Sequence, residues 1–351
     1  MRRAALLVPS LLILAGCSPP FQPAARSSLY VFRLEPPALV ELDANDQPER
    51  EIPVTIPSGC GLNDVFAPLQ GSRLALELSC PFGQAVLVLD AASGMLKQPV
   101  TDSDSHFLAW SADGLGLYLK VNSISRPEII RIGSDGTRTQ LPISELTYDL
   151  ASRPGGGDFL FALSRGMGLG SELWSAQAAG RTTERLAIDP RHYFSLARWS
   201  PDGKQIAFIQ IPDSPTPYTV GELWVMRADG TGQRLLADAD AGHGFAPSWS
   251  PDGSQIAFIY RENPTDAHAD QSADALISNI HAVSLSDGKE RPLTTLNGAR
   301  IESPDWQPDG SSLAFTAILN DRMQVDVLDV GSGALRSVSI EPACCAVWVR
   351  K

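Results

Sequence analysis

One short string constrains this chain more than any other feature. Trp-Ser-Pro-Asp-Gly occurs in Arg198-Trp-Ser-Pro-Asp-Gly-Lys-Gln-Ile-Ala-Phe208 and again in Ser248-Trp-Ser-Pro-Asp-Gly-Ser-Gln-Ile-Ala-Phe258. Asp305-Trp-Gln-Pro-Asp-Gly-Ser-Ser-Leu-Ala-Phe315 and Ala109-Trp-Ser-Ala-Asp-Gly-Leu-Gly-Leu-Tyr-Leu119 are close copies. Each copy reads as a strand ending near Trp, a tight turn and a second strand. Pro presets φ at the second turn position, and Gly supplies the left-handed residue that closes a hairpin. The 29 glycines and 27 prolines of this 351-residue chain suit many such turns.

The tryptophans at 110, 199, 249 and 306 leave one long gap, which a weaker copy fills: Ser152-Arg-Pro-Gly-Gly-Gly-Asp-Phe-Leu-Phe161, with Ser152 in the Trp place. Ala67-Pro-Leu-Gln-Gly-Ser-Arg-Leu-Ala-Leu76 is another degraded copy. A separate series of third strands runs through Ala38–Asp43, Ala85–Asp90, Glu128–Gly133, Glu172–Gln177, Glu222–Arg227, Ile280–Leu285 and Val325–Val330. That series has seven members against six hairpins. The missing hairpin is split between the termini, Ala346-Val-Trp-Val-Arg350 supplying a first strand and Ser28-Leu-Tyr-Val31 a second. Units of about 46 residues fit four-stranded blades. The expected fold is all-β: a seven-bladed β-propeller over 28–351, its last blade shared by the N- and C-terminal strands, with six blades as the alternative.

The Ser-Pro-Asp-Gly hairpins resemble the TolB-type, WD-like propeller repeat of bacterial envelope proteins. The resemblance covers nearly the whole chain after the leader and implies fold more than task. TolB proteins carry an α/β domain before the propeller, where this chain has only residues 18–27.

The N-terminus reads as an address. Met1-Arg2-Arg3, the apolar run Ala4–Ile13 and Leu14-Ala15-Gly16-Cys17 are the parts of a secretory signal peptide, and the run is too short to span a bilayer. Leu-Ala-Gly-Cys resembles the bacterial lipobox, which implies cleavage after residue 16 and lipid attachment at Cys17. Residues 1–16 are thus expected to be a lipoprotein signal peptide and 17–27 a Pro-rich tether. With Ser18 after the cysteine, the resemblance implies a lipid anchor in the outer membrane, with its periplasmic or surface side left open. The net charge of −12 argues against nucleic-acid binding, which needs a basic footprint.

Export permits disulfides. With the first hairpin centred near residue 70, Cys60 and Cys80 face each other and are expected to bond. Cys344 and Cys345 could form a vicinal disulfide, but strand alternation would point them to opposite sides, which favours free or weakly reactive thiols there. Elsewhere the chemistry is sparse. Gly166-Met-Gly-Leu-Gly170 opens no helix, the Asp-Gly pairs do not form a calcium loop, and no zinc spacing occurs. No catalytic residue, metal or cofactor is expected.

His106, His192 and His243 precede first strands at comparable places, with Asp238 and Asp240 nearby, and make a candidate ligand or partner face. The insertions Ile211–Gly221 and Arg261–Asn279 fall in second-to-third-strand loops, opposite the short turns. Two readings follow: an envelope protein that docks other proteins as an accessory subunit of an outer-membrane or periplasmic assembly, or an enzyme or small-ligand or metal binder using the channel mouth.

Overall fold

The computed structural model describes residues 27–81, 83–101, 104–123, 126–177, 181–241 and 244–350. Their strands form seven four-stranded antiparallel sheets arranged as blades, and Ala273–Ala275 is a short 3-10 turn. The inner strands of blades 1 to 7 are Gly61–Phe66, Asp104–Trp110, Thr147–Ser152, His192–Trp199, Ser248–Trp249, Arg300–Trp306 and Ala343–Arg350. Each of the seven expected third strands overlaps an observed one and overruns it by at most one residue at the C-terminal end. Seven blades, rather than six, is the count.

Blade 7 is closed as the sequence predicts. Ala343–Arg350 pairs antiparallel with Ser27–Arg33, which pairs with Ala38–Leu42 and then Pro48–Pro53. Both ends of the described chain are thereby tied into one sheet, and the ring has no open edge between its first and last blades.

The tryptophans explain why this repeat makes a ring. In four of them the indole nitrogen donates to a backbone carbonyl of the preceding blade: Trp110 to Phe66 at 2.9 Å, Trp199 to Ala151 at 3.2 Å, Trp249 to Arg198 at 3.1 Å and Trp306 to Ser248 at 3.1 Å. The acceptor is in every case the residue before the Trp place. Ser152, the serine in a Trp place, donates its hydroxyl to the Trp110 carbonyl at 2.6 Å, so the degraded copy keeps the stitch with a shorter side chain. The rings themselves are buried between blades, where apolar area removed from water supplies most of the stabilisation.

The turns follow from the same string. In blade 4 the Ser200 hydroxyl donates to Asp202 at 2.7 Å and accepts the Gln205 N–H at 2.9 Å, while Gly203 takes φ +67. A side chain there would meet Arg153, whose guanidinium lies over the Trp199 ring. The left-handed φ is what favours glycine there.

Cys60 and Cys80 are joined, with Cα atoms 4.1 Å apart, beside the paired residues Gly61 and Ser79. The bond closes a 20-residue separation, and its removal by Cys60→Ser with Cys80→Ser is expected to cost about 3 kcal/mol by loop entropy. Urea unfolding of the double variant checks this; an unchanged midpoint contradicts it.

Cys344 and Cys345 are also joined, contrary to the expectation of free thiols. The reason is a β-bulge. The register of Ala343–Arg350 against Ser27–Arg33 slips between Tyr30 and Phe32, and Cys345 takes φ +60. Alternation fails at that residue, so the two side chains meet on one side of the strand.

Candidate functional site

The same bulge recurs around the ring and shapes its axis. Register slips occur two to four residues before the Trp place in blades 1, 2, 3, 4, 6 and 7. Leu196, Ser303 and Cys345, each three residues before a Trp, have φ of +56, +49 and +60. Around the channel this rung reads Asp64, Phe107, Asp149, Leu196, Ala246, Ser303 and Cys345. Two residues onward the rung reads Phe66, Ala109, Ala151, Arg198, Ser248, Asp305 and Val347.

A cavity of about 720 Å³ occupies the channel, within the range of small-molecule sites. Its lining runs from the first rung to the hairpin-turn residues Ser111, Pro154 and Pro308, so it opens on the short-turn face. Phe66 and Phe107 stack in its wall with centroids 4.4 Å apart.

Four carboxyl groups line the wall beside Arg198, Arg350, Asn63 and Ser303. Asp149 accepts the Ala197 N–H at 2.9 Å and pairs with Arg198 at 3.2 Å. Asp305 accepts the Trp348 N–H at 2.9 Å, and Glu77 the Phe107 N–H at 3.0 Å. Asp64 accepts its neighbour Val65 N–H at 2.8 Å and the Ser303 hydroxyl at 3.4 Å, a contact that spans blade 7 from blade 6 to blade 1. Burial pushes the Asp64 carboxyl up to about 7, with Glu77 and Glu302 adding to the rise. Burial likewise raises Asp305 to about 6, against the pull of Arg350. Glu77 is raised by the same cause.

These shifts have a sign for stability. Each acid holds its proton more tightly in the folded chain, so its favourable contribution is complete below the ordinary value of 3.8 and is lost as pH climbs to about 7 for Asp64 and about 6 for Asp305. Asp64→Asn is therefore expected to be more stable than the native chain at pH 8, by about 2 kcal/mol, and to show no such gain at pH 4. Denaturant titration at both pH values measures it, and a difference that does not change with pH contradicts it.

The histidines singled out from sequence lie elsewhere. His106 and His192 sit near the starts of inner strands, at the opposite end from the hairpin turns, and neither lines the cavity. His106 meets Asp104 at 3.3 Å and His192 meets Asp189 at 3.1 Å. Asp238 and Asp240 belong to Arg234–Asp240, the outermost strand of blade 4, Asp238 exposed and Asp240 buried. His243 and Cys17 lie outside the described residues. Among the described residues, no group of three or more His, Cys, Asp or Glu side chains is placed to hold a metal ion.

The long insertions form one built structure on the face opposite the turns. Arg261 is 1% exposed, yet its guanidinium reaches both loops, donating to the Tyr218 carbonyl at 2.8 Å and to Asp270 at 2.9 Å. The Tyr218 N–H donates to the Asp270 carbonyl at 3.2 Å. Asn263 accepts the Ile277 N–H and donates to the Ala275 carbonyl, folding 261–279 on itself. Next to this clasp, His281 stacks on Tyr260 at 4.3 Å and pairs with Glu290 at 2.7 Å. Sequence reasoning passed over Arg261 and His281, because nothing near either in the chain shows what its loop or strand packs against.

The ring and its Ser-Pro-Asp-Gly hairpins have counterparts among TolB propellers. Residues 188–347 match the family described as TolB beta propeller domain. A putative TolB from Agrobacterium tumefaciens is similar at 20% identity over 67% of this chain and 98% of that one, TM-score 0.52. TolB from Acinetobacter baumannii is similar at 17% identity over 90% and 79%, TM-score 0.50. An oligogalacturonate lyase in complex with manganese shares the fold at 14% identity over 92% and 87%, TM-score 0.60. No curated protein matches the chain. Likeness at these identities speaks for the fold.

Proposed function

We propose that this chain is a lipid-anchored envelope protein whose ring docks a partner protein through its long-loop face, as an accessory subunit of a larger assembly. The observation that carries the reading is that Ser27, the first described residue, and the long insertions lie on opposite faces of the ring. Ser27 pairs with Arg350, beyond Trp348 at the short-turn end of blade 7, so the described chain begins on the short-turn face. Ten residues from Cys17 reach at most about 35 Å, and their prolines favour extension. Anchoring at Cys17 turns the short turns toward the membrane and presents the clasped insertions outward. Among the described residues no helix is long and apolar enough to cross a membrane, and lipid at Cys17 is the attachment this reading needs.

The outward face is ordered before any partner arrives, so little entropy is lost on docking. It is also acidic, with Asp213, Asp238, Glu262, Asp266 and Asp274 on or beside the two insertions. Removing all of 261–279 would also take away Arg261, Ser278 and Asn279, which hold the strands themselves. Charge reversal is the cleaner probe. Asp274 pairs only at the surface with Arg300, its own side chain 92% exposed, and Asp238 is exposed. Asp238→Lys with Asp274→Lys is expected to leave unfolding unchanged within about 0.5 kcal/mol while weakening partner capture in intact envelopes at least tenfold. Full capture by the double variant would count against the reading.

A further inference from the structure

The repeat itself supplies a comparison inside the channel. Asp64 and Asp149 occupy the same place, three residues before the Trp position, in blades 1 and 3. Asp149 is neutralised from the next blade by Arg198, which stands one residue before Trp199. The residue in the equivalent place of blade 2 is Ala109, one before Trp110, and the Asp64 carboxylate accepts instead from the Val65 N–H and the Ser303 hydroxyl. Asp64, Ala109 and the stacked pair Phe66 and Phe107 all line the cavity, with Glu77 on the same wall. Among the described residues, no Lys or Arg forms an ion pair with Asp64 or Glu77.

We infer that the wall formed by Asp64, Glu77, Ala109, Phe66 and Phe107 binds a guanidinium or ammonium group carried on an apolar chain, which takes the place that Arg198 holds beside Asp149. Three features of the wall fit that ligand. Two carboxyl groups surrounded by protein gain most from a cation, because burial disfavours their charged form until one is near. Ala109 leaves the room that an arginine side chain fills one repeat pair later. The faces of Phe66 and Phe107 offer apolar contact to the alkyl part and cation–π attraction to its charged end. Arg350 lies toward the mouth, near Asp305, and Arg198 is already paired with Asp149, so neither neutralises the Asp64 wall. The remaining ionisable groups around it are Glu302 near Asp64, and Asp104 and His106 near Glu77, the latter two paired with each other. This site faces the short turns and does not depend on the docking reading.

Titration calorimetry at pH 8 on the whole mature chain tests it, with butylguanidinium as the free cation, acetyl-Gly-Arg-Gly-amide as the same group on a peptide, and butylurea as the neutral control. Dissociation constants in the millimolar range are expected for a cation of this size. Binding of butylguanidinium supports a free small-molecule source, and binding of the peptide alone supports an arginine side chain. Asp64→Asn is expected to weaken either by at least tenfold. Ala109→Arg, which restores the Arg198 arrangement, is expected to abolish binding while keeping the native circular dichroism spectrum. Equal binding of butylurea, unchanged binding in Asp64→Asn, or no binding of either cation overturns the inference. Saturable calcium binding without a response to butylguanidinium overturns it as well.

Discussion

Deleting Ala343–Arg350 is expected to abolish cooperative folding. The strand is the inner strand of blade 7 and contributes to two core clusters, one shared with blade 1 and one with blade 6. Six of its eight residues are less than 10% exposed, Val347 the most open of these at 8%. Its loss would also uncover Leu29, Val31 and Phe32 along the edge of Ser27–Arg33, an apolar edge open to aggregation. Burying side chains of this kind contributes about 1.5–3 kcal/mol each. Their sum is comparable to the whole stability of an ordinary domain, about 5–15 kcal/mol. By contrast, Leu335–Ser337, the outermost strand of blade 6, is exposed throughout, and replacing it with Gly-Ser residues is expected to cost little. Near-ultraviolet circular dichroism and thermal unfolding distinguish the two variants. A sharp unfolding transition in the closure-strand deletion would mean that the ring does not depend on joining its ends.

Replacing Arg261 has the second largest expected effect. A fully buried guanidinium holding the Tyr218 carbonyl and the Asp270 carboxylate ties together two loops from neighbouring blades. Breaking a buried pair typically costs 3–5 kcal/mol. Asp270 is 36% exposed and can return to water, so about 3 kcal/mol is expected for Arg261→Met. The loss should be local. Amide exchange is expected to accelerate through 213–219 and 262–277 and to stay slow in Gln205–Pro212 and Gln255–Arg261. If the outward face is the docking surface, partner capture falls with it. Unchanged exchange in the two insertions would show that they are held by something other than this guanidinium.

The parts of the fold legible in the sequence are those encoded within one repeat. Trp, Pro, Asp and Gly each do a local job, in a stitch or a turn, so counting the hairpins returned six, and the separate third-strand series with the two terminal strands supplied the seventh blade and its closure. The Cys60–Cys80 bond was legible for the same reason, since hairpin register follows from the turn. The bulges were not. Nothing in Pro342-Ala-Cys-Cys-Ala346 states that Cys345 takes φ +60, because the slip is set by what the strand packs against. The channel site was hidden by distance along the chain. Asp64 and Ser303 meet only because the ring closes, 239 residues apart in sequence. His106 and His192 share a repeat position, and it lies at the opposite ends of their strands from the cavity. Arg261 carried no signal at all, since a buried arginine and a solvated loop arginine read alike until the neighbouring blade is in place.

The docking account is tested most directly by photo-crosslinking in intact envelopes. A photoreactive amino acid is placed either at Ser272, in the long-loop face, or at Gly136, in a third-to-fourth-strand turn, in chains that carry Cys17. The account predicts one discrete protein adduct from Ser272, lost in Asp238→Lys with Asp274→Lys, and lipid adducts from Gly136. Lipid adducts from Ser272, or a protein that crosslinks from Gly136 and not from Ser272, would contradict it.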